Sequence, residues 1–399
     1  MKKRIFISTN YMQIGGVERS IIGLLNSIDY DKYDVDFFIH SHSGEFMNMI
    51  PDLVNVLPED KNYSTFGRPI LELFKEGRIL IGIARVLAKV YLKVFNKLNN
   101  INENYSSTTY VAKFTSPFLP SLYKYGEYDL AISFLIPHNI VLNKVNAKRK
   151  IAWIHSDYSF IGLDIKLELP IWKSYDYIGS ISDDVTSTFI NRFPVLEDKI
   201  ILIENILSSE FVRKQSIEFY VATEIYKNQN EIILCSVGRF SKQKNFVNAV
   251  QICKYLMEYG LKIKWYLIGY GSEENIIEKT IKKLKMENHF IILGKKVNPY
   301  PYMKACDIYI QPSLYEGKAV TVREAQMLYK PVVITNFPTS NSQVKDGYDG
   351  IIVPLDNRRA AKGIYNFIKD EEKQKRIIEY LKVNDFGNEK EVEKIYKLI

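Results

Sequence analysis

The sequence predicts an α/β protein with two doubly wound, parallel-sheet domains that face each other across a cleft. The chain has 399 residues, which is more than one typical domain holds. Short apolar runs rich in β-branched and aromatic residues alternate with amphipathic helical runs, the pattern of parallel βαβ units. This alternation stops in a polar stretch near the middle of the chain and then starts again. Open α/β sheets bind ligands at the carboxyl ends of their strands, so candidate functional residues are expected there.

The predicted domain limits follow from that interruption. Residues 1–207 are predicted to form the first domain, which starts with the strand "RIFIST". The polar stretch 208–230 is predicted to connect the domains, and residues 231–380 are predicted to form the second domain. Residues 61–125 do not follow the alternation, which predicts a helical insertion in the first domain.

Composition argues against several classes of protein. The three cysteines lie far apart without CxxC spacing, which argues against a disulfide framework or a zinc site and fits a reducing compartment. No apolar run approaches the roughly 20 residues of a transmembrane helix. The short apolar run near the N-terminus is interpreted as a buried strand, so a cytoplasmic location is predicted. The net charge of +8 favours an acidic partner, which is a phosphorylated ligand, nucleic acid or an anionic membrane.

The insertion contains a long basic amphipathic helix within residues 70–98. Such a helix can lie in the interface of an anionic bilayer, which would make the chain peripheral on the inner face of the plasma membrane. It can also be a surface helix of its own domain with a solvated lysine face. The basic residues that recur at i+4 are Arg85, Lys89, Lys93 and Lys97.

Two glycines, Gly15 and Gly16, follow the first predicted strand and precede a helix. Glycine permits close approach of a ligand to the backbone, and a helix N-terminus offers N–H groups to a phosphate. The stretch is not GxGxxG, so it lacks the dinucleotide-binding fingerprint. A strand–glycine–helix turn is also common in α/β folds without any ligand.

Two cations and a histidine also lie at predicted strand ends. Arg239 and Lys244 are in the loop after the first strand of the second domain, where they can hold a diphosphate or form a solvated loop. His155 directly follows an apolar strand in "AWIHSDYS". It can donate a hydrogen bond or act as an acid or base near neutral pH, although a single histidine is usually structural.

Two carboxylates frame a glycine loop in "SLYEGKAVTVREAQ". Glu316 is predicted at a strand end and Glu324 in the first turns of the next helix. The carboxylates can accept hydrogen bonds from hydroxyl groups, and the backbone between them can bind a phosphate at the positive end of the helix. A nucleotide sugar carries sugar, diphosphate and ribose in that order. The alternative is two surface acids. The intervening donor-binding residues are Gly317, Lys318, Ala319 and Val320.

These motifs resemble a known family. "GGVERS", "WIHSDY", "SVGRFSKQKN", "LIGYGSEEN" and the long block from "QPSLYEGKAV" to "DGYDGIIVP" are similar to retaining GT-B glycosyltransferases of the bacterial family-four type. Members of that family build capsular, exopolysaccharide and lipopolysaccharide glycans with two Rossmann-like domains. The resemblance covers nearly the whole chain, and its Glu-x7-Glu block is the most specific part.

The resemblance implies roles for the charged residues. Arg239 and Lys244 would stabilise the departing diphosphate, an electrostatic role that would need no metal ion or other cofactor. Glu316 would hold hydroxyl groups of the donor sugar, and Glu324 would hold the ribose.

The resemblance also implies roles for the first domain. His155 would line the donor-sugar and acceptor side, and Gly15 and Gly16 would let the backbone approach the phosphates. Residues 381–399 would form a helix that crosses back to the first domain.

The sequence departs from the family pattern at two places. Lys318 stands where the family is more apolar, which puts the identity of the donor sugar in question. Tyr329 and Lys330 replace the usual glycine before "PVV", in a helix-to-strand turn. Asp34-Val35-Asp36 spells the DxD metal motif of a different glycosyltransferase fold, but it lies at the start of a strand and is interpreted as a coincidence.

The function predicted is sugar transfer with retention from a nucleoside diphosphate sugar, predicted to be uridine-based. The acceptor is predicted to be a glycan or a lipid-linked saccharide in cell-surface polysaccharide synthesis. An alternative enzyme is a nucleotide-sugar epimerase, which would turn over the donor without an acceptor. A basic nucleic-acid-binding module is a third possibility. Nucleic acid is not predicted as a partner, because no basic patch interleaved with aromatic residues is found.

Overall fold

The computed structural model describes residues 2–100, 106–159 and 162–399. Residues 101–105, which belong to the predicted insertion at 61–125, therefore lie outside the described residues. Among the described residues, no helix has both the length and the apolar character to cross a membrane.

The chain separates into two compact units. The first unit is Met1–Ile206 together with Glu389–Ile399, and the second is Leu207–Asn388. The stretch 208–230, predicted as the connection between domains, lies within the second unit. Its polar surface conceals apolar side chains that pack into the second core: Val212, Val221 and Ile225.

The first unit contains a parallel sheet with the strand order β3-β2-β1-β4-β5-β6-β7. Its central strands are buried on both faces, as in a sheet covered by helices on each side: Ile5, Phe6 and Ile7 of the first strand are all fully buried. The strands are β1 Lys3–Thr9, β2 Tyr33–Ile39, β3 Asn55–Val56, β4 Tyr128–Ser133, β5 Ala147–Ile154, β6 Tyr177–Ser180 and β7 Ile200–Leu202. The helices are α1 Gly16–Ser27, α2 Ile70–Lys75, α3 Ile79–Asn99, α4 Ser107–Thr115, α5 Asn139–Lys144, α6 Ile165–Lys173 and α7 Asp183–Arg192.

The second unit contains a second parallel sheet, with the order β10-β9-β8-β11-β12-β13. The strands are β8 Ile232–Val237, β9 Ile263–Ile268, β10 Phe290–Gly294, β11 Ile308–Gln311, β12 Val332–Thr335 and β13 Ile351–Val353. The helices are α8 Ser209–Gln215, α9 Phe246–Glu258, α10 Glu274–Leu284, α11 Tyr300–Ala305, α12 Val320–Met327, α13 Ser340–Gln343, α14 Asn357–Lys369 and α15 Glu371–Val383.

Alternate residues of β8 show why this sheet needs two layers of helices. Leu234 packs into one hydrophobic cluster. Its neighbours Ile233 and Cys235 pack into another, because successive side chains of a strand point to opposite faces. Both units are therefore doubly wound, and the prediction of two Rossmann-like parallel-sheet domains is confirmed.

The last residues of the chain return to the first unit. The short helix α16 spans Val392–Tyr396. The ring of Tyr396 stacks on Tyr33, with ring centroids 4.2 Å apart, and its hydroxyl accepts the Asp29 N–H at 2.8 Å. The stretch 381–399, predicted as one helix, is divided, because α15 ends at Val383 in the second unit.

The strand order places the candidate residues. In the first unit the order reverses between β1 and β4, and in the second unit it reverses between β8 and β11. Such reversals open a crevice at the carboxyl ends of the strands, where ligands bind. Within the second unit, the loops that follow β8 and β11 are therefore neighbours.

Candidate functional site

A short ion pair joins the two loops at the reversal in the second unit. The Lys244 ammonium lies 2.6 Å from a carboxylate oxygen of Glu316, and the two side chains are only 18% and 6% exposed. Lys244 ends a 3₁₀ turn, Lys242–Lys244, after β8, whereas Glu316 follows β11. Two residues predicted separately as diphosphate and sugar ligands thus meet at one point.

Further donors hold the Glu316 carboxylate in place. The Ser313 hydroxyl donates to Oε1 at 2.5 Å, and the Gln243 amide donates to Oε2 at 3.3 Å. The Gln243 amide also donates to the Tyr315 carbonyl at 3.0 Å, which ties the two loops together. Oε1 therefore has two strong partners, while Oε2 has one long hydrogen bond and room for another donor.

Arg239 lies on the same loop as Lys244 and is exposed. Within the part of the chain that the structure describes, its guanidinium has no ion pair or hydrogen bond. The loop around it is fixed by its neighbours, because the Gly238 N–H donates to the Ile268 carbonyl at 3.0 Å and the Phe240 N–H donates to the Tyr270 carbonyl at 2.8 Å. A rigid loop thus presents a positive charge to solvent.

A glycine in the neighbouring loop makes that arrangement possible. Gly269 follows β9 with φ +146, and a Cβ atom there would lie 1.9 Å from the Gly238 carbonyl oxygen. No side chain fits between the two backbones. The sequence carries the signal as "LIGYG", a GxG at a strand end.

The backbone between the two glutamates is only partly open to a ligand. Helix α12 starts at Val320, so Gly317, Lys318 and Ala319 lie at its N-terminus as predicted from the pattern. The Ala319 N–H already donates to the Gln343 side chain at 2.6 Å. A phosphate could bind this N–H only by displacing the Gln343 amide.

Glu324 lies fully buried in α12, with no exposed surface. One of its oxygens accepts the Tyr300 hydroxyl at 2.6 Å. The carboxylate is therefore oriented from within the domain. Its sequence position alone gave no sign of the tyrosine partner, which comes from α11.

In the first unit, the two predicted glycines differ. Gly15 precedes α1 in an extended conformation, and a Cβ atom there would lie 2.2 Å from a carboxylate oxygen of the buried Glu18. At Gly16 such an atom would meet nothing within 4 Å. The space beside Gly16, and not that beside Gly15, is open to a ligand at the start of α1.

His155 follows β5, as predicted, and is enclosed by aromatic rings. Its ring centroid lies 4.7 Å from Phe134 and stacks on Trp153 at 6.3 Å. Burial lowers the pKa of His155 to about 3. The imidazole is therefore neutral near pH 7, which favours hydrogen bonding over acid–base chemistry at that pH.

The DxD sequence in β2 has a structural explanation. The Asp36 carboxylate accepts hydrogen bonds from Arg4 at 2.9 Å, Tyr128 at 2.6 Å and Asn55 at 2.6 Å. These three donors satisfy the Asp36 carboxylate within the sheet, which gives it a structural role. Among the residues described by the structure, no three His, Cys, Asp or Glu side chains are grouped as metal ligands would be. Metal independence stays a prediction.

Several supporting residues could not be identified from the sequence. Asn245, with φ +61, donates from its side chain to the Pro312 carbonyl at 2.9 Å and so fixes the residue next to Lys244. Its signal was present, since asparagine is tolerated at positive φ and is common before helices. Thr339 donates to the Glu316 carbonyl at 2.7 Å. Thr339 and Gln343 come from a distant segment without any motif.

A family model matches the second unit. Residues 222–383 match the family described as "Glycosyl transferases group 1". An uncharacterized glycosyltransferase of Methanocaldococcus jannaschii is 25% identical over 248 residues, 59% of this chain and 60% of that protein. A UDP-Gal:alpha-D-GlcNAc-diphosphoundecaprenol alpha-1,3-galactosyltransferase of Escherichia coli is 26% identical over 132 residues, 32% of this chain and 34% of that protein.

A third relative, from Campylobacter jejuni, is an N-acetylgalactosamine-N,N'-diacetylbacillosaminyl-diphospho-undecaprenol 4-alpha-N-acetylgalactosaminyltransferase. It is 23% identical over 207 residues, 51% of this chain and 54% of that protein. The chain thus matches less than two thirds of the length of each of these relatives.

Solved structures share the fold over the whole chain. HepE of Anabaena, solved in complex with UDP and glucose, has a TM-score of 0.67 and 15% identity, covering 99% of this chain and 98% of that one. A glycosyltransferase of Rickettsia africae has a TM-score of 0.66 and 14% identity, covering 100% and 98%. At such identities the likeness concerns the fold.

Proposed function

We propose that the chain, which has a GT-B type fold and whose residues 222–383 match the family "Glycosyl transferases group 1", is a retaining glycosyltransferase. It transfers a sugar from a uridine diphosphate sugar to a glycan or a lipid-linked acceptor in cell-surface polysaccharide synthesis. The observation that carries the proposal is the Lys244–Glu316 pair, together with the exposed Arg239 on the same loop as Lys244, which has no ion pair among the described residues. One nucleotide sugar can then contact the two cations, the Glu316 carboxylate and the N-terminus of α12.

Names of similar proteins support the choice of donor and acceptor. The Escherichia coli relative is named for UDP-Gal and for a saccharide on diphosphoundecaprenol. The Campylobacter jejuni relative is named for a diphospho-undecaprenol saccharide, and HepE was solved with UDP. We therefore infer that the donor is a uridine nucleotide sugar and that the acceptor is a lipid-linked saccharide.

In the proposed reaction, Arg239 and Lys244 bind the donor diphosphate. Lys244 has three N–H donors, so it can hold Glu316 and a phosphate oxygen together. The exposed Arg239 can bind two phosphate oxygens with its planar guanidinium. Both cations stabilise the negative charge that develops on the diphosphate as the bond to the sugar breaks. No metal ion is required for this step.

Glu316 binds the sugar rather than attacking it. Its Oε2 has room to accept a sugar hydroxyl, while Oε1 is held by Lys244 and Ser313. A carboxylate paired this closely with an ammonium is a weakened nucleophile, which favours attack by the acceptor on the same face as the leaving group. The bond from the anomeric carbon to the phosphate oxygen breaks, the bond to the acceptor oxygen forms, and the donor phosphate takes the acceptor proton.

The remaining predicted residues have binding roles. Glu324, oriented by Tyr300, is assigned to the ribose hydroxyls, and because its carboxylate has no exposed surface the ribose reaches it only when the side chains that cover it move aside. The neutral His155 hydrogen-bonds to a sugar hydroxyl, and Gly16 offers an open backbone position at the start of α1. None of these groups needs to exchange a proton during the reaction.

The test begins with the donor. A thermal-shift screen of nucleotide sugars identifies the donor by a rise in Tm, since a ligand at 100 times its Kd stabilises the folded state by about 2.7 kcal/mol. That donor is then incubated with a short-prenyl diphosphate saccharide as acceptor, and the product is assigned by NMR. We expect nucleoside diphosphate release that depends on the acceptor, with the anomeric configuration retained. Conversion of the donor without an acceptor would identify an epimerase, and an inverted linkage would contradict the proposed mechanism.

A further inference from the structure

Helix α3 of the first unit presents an apolar stripe to solvent. A surface helix normally turns its apolar side chains toward its own domain. In α3, large apolar side chains remain exposed along nearly the whole length, with Val90 56%, Val94 54% and Leu98 78% accessible. Contiguous exposed apolar surface of this kind marks an interaction site. The stripe also includes Leu80, Ile83 and Leu87.

The opposite face of the helix is already satisfied. Ile81, Ala84 and Ala88 are buried against the domain, and so is Arg85. The Arg85 guanidinium donates to the carbonyls of Thr65 and Arg68, each at 2.5 Å. Arg85 therefore does not belong to the basic ridge that the sequence predicts, because it anchors the inner face. The outer stripe is a second apolar face that the described residues leave about half or more exposed.

An apolar cavity adjoins the stripe. It lies between α3 and α4, has a volume of about 380 Å³, and opens beside the exposed leucines of α3. Its other side is formed by the end of α4 and the turn that follows, with Lys113 among the lining residues. The apolar side chains that line it include Leu80, Ile83, Leu87, Phe114 and Phe118.

Positive charge borders this surface. Lys89, Lys93 and Lys97 follow one edge of the stripe at i+4 spacing and are exposed. Lys113 lies at the cavity, on the side of α4. Neither α3 nor α4 contains an acidic residue. Lysines that flank an apolar face on both sides match a surface that is apolar within and negative at its boundary.

We propose that the outer faces of α3 and α4 form a membrane-docking surface that lies in the interface of an anionic lipid bilayer. In that position the apolar stripe enters the headgroup and acyl boundary to a depth of about 5–10 Å, while the lysines remain at the phosphate level. A second copy of the chain fits less well, because a self-complementary contact would bring two lysine borders together. The inference goes beyond the proposed transfer reaction and does not depend on it.

Vesicle binding tests the charge contribution. The full chain is co-sedimented with vesicles of phosphatidylcholine alone or mixed with phosphatidylglycerol, and binding is expected only to the mixed vesicles. Each basic residue near an anionic surface contributes about 1 kcal/mol, so the combined Lys89→Glu, Lys93→Glu and Lys97→Glu variant should bind at least roughly 100-fold more weakly. Helix α10 supplies a matched control in Lys279→Glu, Lys282→Glu and Lys283→Glu, exposed lysines on a helix of the second unit. This control should bind like the unchanged chain.

Apolar contact is tested separately. Val90→Asp and Val94→Asp should each strongly weaken binding to mixed vesicles with little change in Tm, since both side chains are more than half exposed and neither lines the cavity. Leu53→Asp and Val195→Asp are matched controls, with side chains 71% and 66% exposed elsewhere in the first unit, and should bind normally.

Three results would overturn the proposal. The first is failure of the unchanged chain to sediment with anionic vesicles. The second is an equal loss of binding in the α3 and α10 lysine variants, which would mean general charge attraction. The third is a dimer in analytical ultracentrifugation that Val90→Asp dissociates, which would identify the stripe as an interface between copies of the chain.

Discussion

Lys244 and Glu316 are 72 residues apart in the sequence and form a 2.6 Å ion pair. Breaking a largely buried pair from one side leaves the other charge without a partner and is strongly destabilising. A substitution at either residue would therefore change both the stability of the fold and the catalytic rate. Arg239 is different, because it is exposed and has no partner within the described residues. A change at Arg239 separates binding of the diphosphate from folding.

Replacing Arg239 with alanine should lower kcat for nucleoside diphosphate release roughly 100- to 1,000-fold, the usual effect of removing one group that stabilises developing negative charge. The Tm should not change. Lys242→Ala is the matched control, since Lys242 is an exposed cation three residues along the same loop. A similar loss in both variants, or a normal rate in Arg239→Ala, would contradict the assigned role.

Removal of metal ions tests whether Arg239 and Lys244 suffice to stabilise the departing diphosphate. If Arg239 and Lys244 provide the positive charge for the leaving diphosphate, dialysis against EDTA should leave the steady-state rate unchanged. Addition of magnesium or manganese should not raise it. A rate lost on chelation and restored by a divalent cation would mean that the two side chains do not suffice.

At the scale of the element, the loops that carry the charges are held by contacts between backbones. The loop after β9 touches the loop after β8 so closely that Gly269 has no room for a side chain. Asn245 ties the start of α9 to the end of β11. These contacts fix the position of the Arg239 loop before any ligand binds, which limits the entropy lost on binding.

Gly269→Ala should therefore destabilise the second unit by at least about 3 kcal/mol, because the new Cβ meets a backbone carbonyl at 1.9 Å. Gly260→Ala is the matched control: Gly260 also has positive φ, but its added Cβ would meet nothing within 4 Å. Only the strain of about 1–2 kcal/mol for a non-glycine residue at positive φ is expected there. Urea unfolding measures both. Equal losses would mean that the close approach is not a constraint.

At the scale of the whole molecule, the first unit holds three histidines in neutral form, of which His40 and His138 are buried and His155 is half-buried. Burial lowers the pKa values of His40, His138 and His155 to about 3. Unfolded histidine has a pKa near 6.5. Between these values the unfolded chain binds protons that the folded chain does not, so stability is complete above about pH 6.5 and is lost as the pH falls toward 3.

From pH 7.5 to 5.5, each buried neutral histidine should lower the free energy of unfolding by about 1.4 kcal/mol. His138→Gln should therefore lose about 1.4 kcal/mol less than the unchanged chain over this interval. Urea unfolding can be followed by tryptophan fluorescence in a Trp265→Phe background, which leaves the signal of the first unit. An identical pH dependence in the two proteins would show that His138 is not the group that titrates.

The sequence by itself determined the two doubly wound sheets and the strand ends at which Arg239, Lys244, His155 and Glu316 lie. Those features depend on the period of apolar residues and on local turn residues, which can be read along the chain. The place of residues 208–230 in the second unit could not be read from the sequence, because it depends on a few buried apolar side chains that pack into the second core.

Only the tertiary structure decided how the side chains pair. The fold pairs Lys244 with Glu316 and places the Tyr300 hydroxyl on Glu324. It also engages the Ala319 N–H with the Gln343 side chain and directs the Arg85 guanidinium into its own domain. Each of these outcomes depends on residues distant in sequence that compete for the same hydrogen-bonding group. Such competition is settled by distance and burial in the folded chain, and no local pattern encodes it.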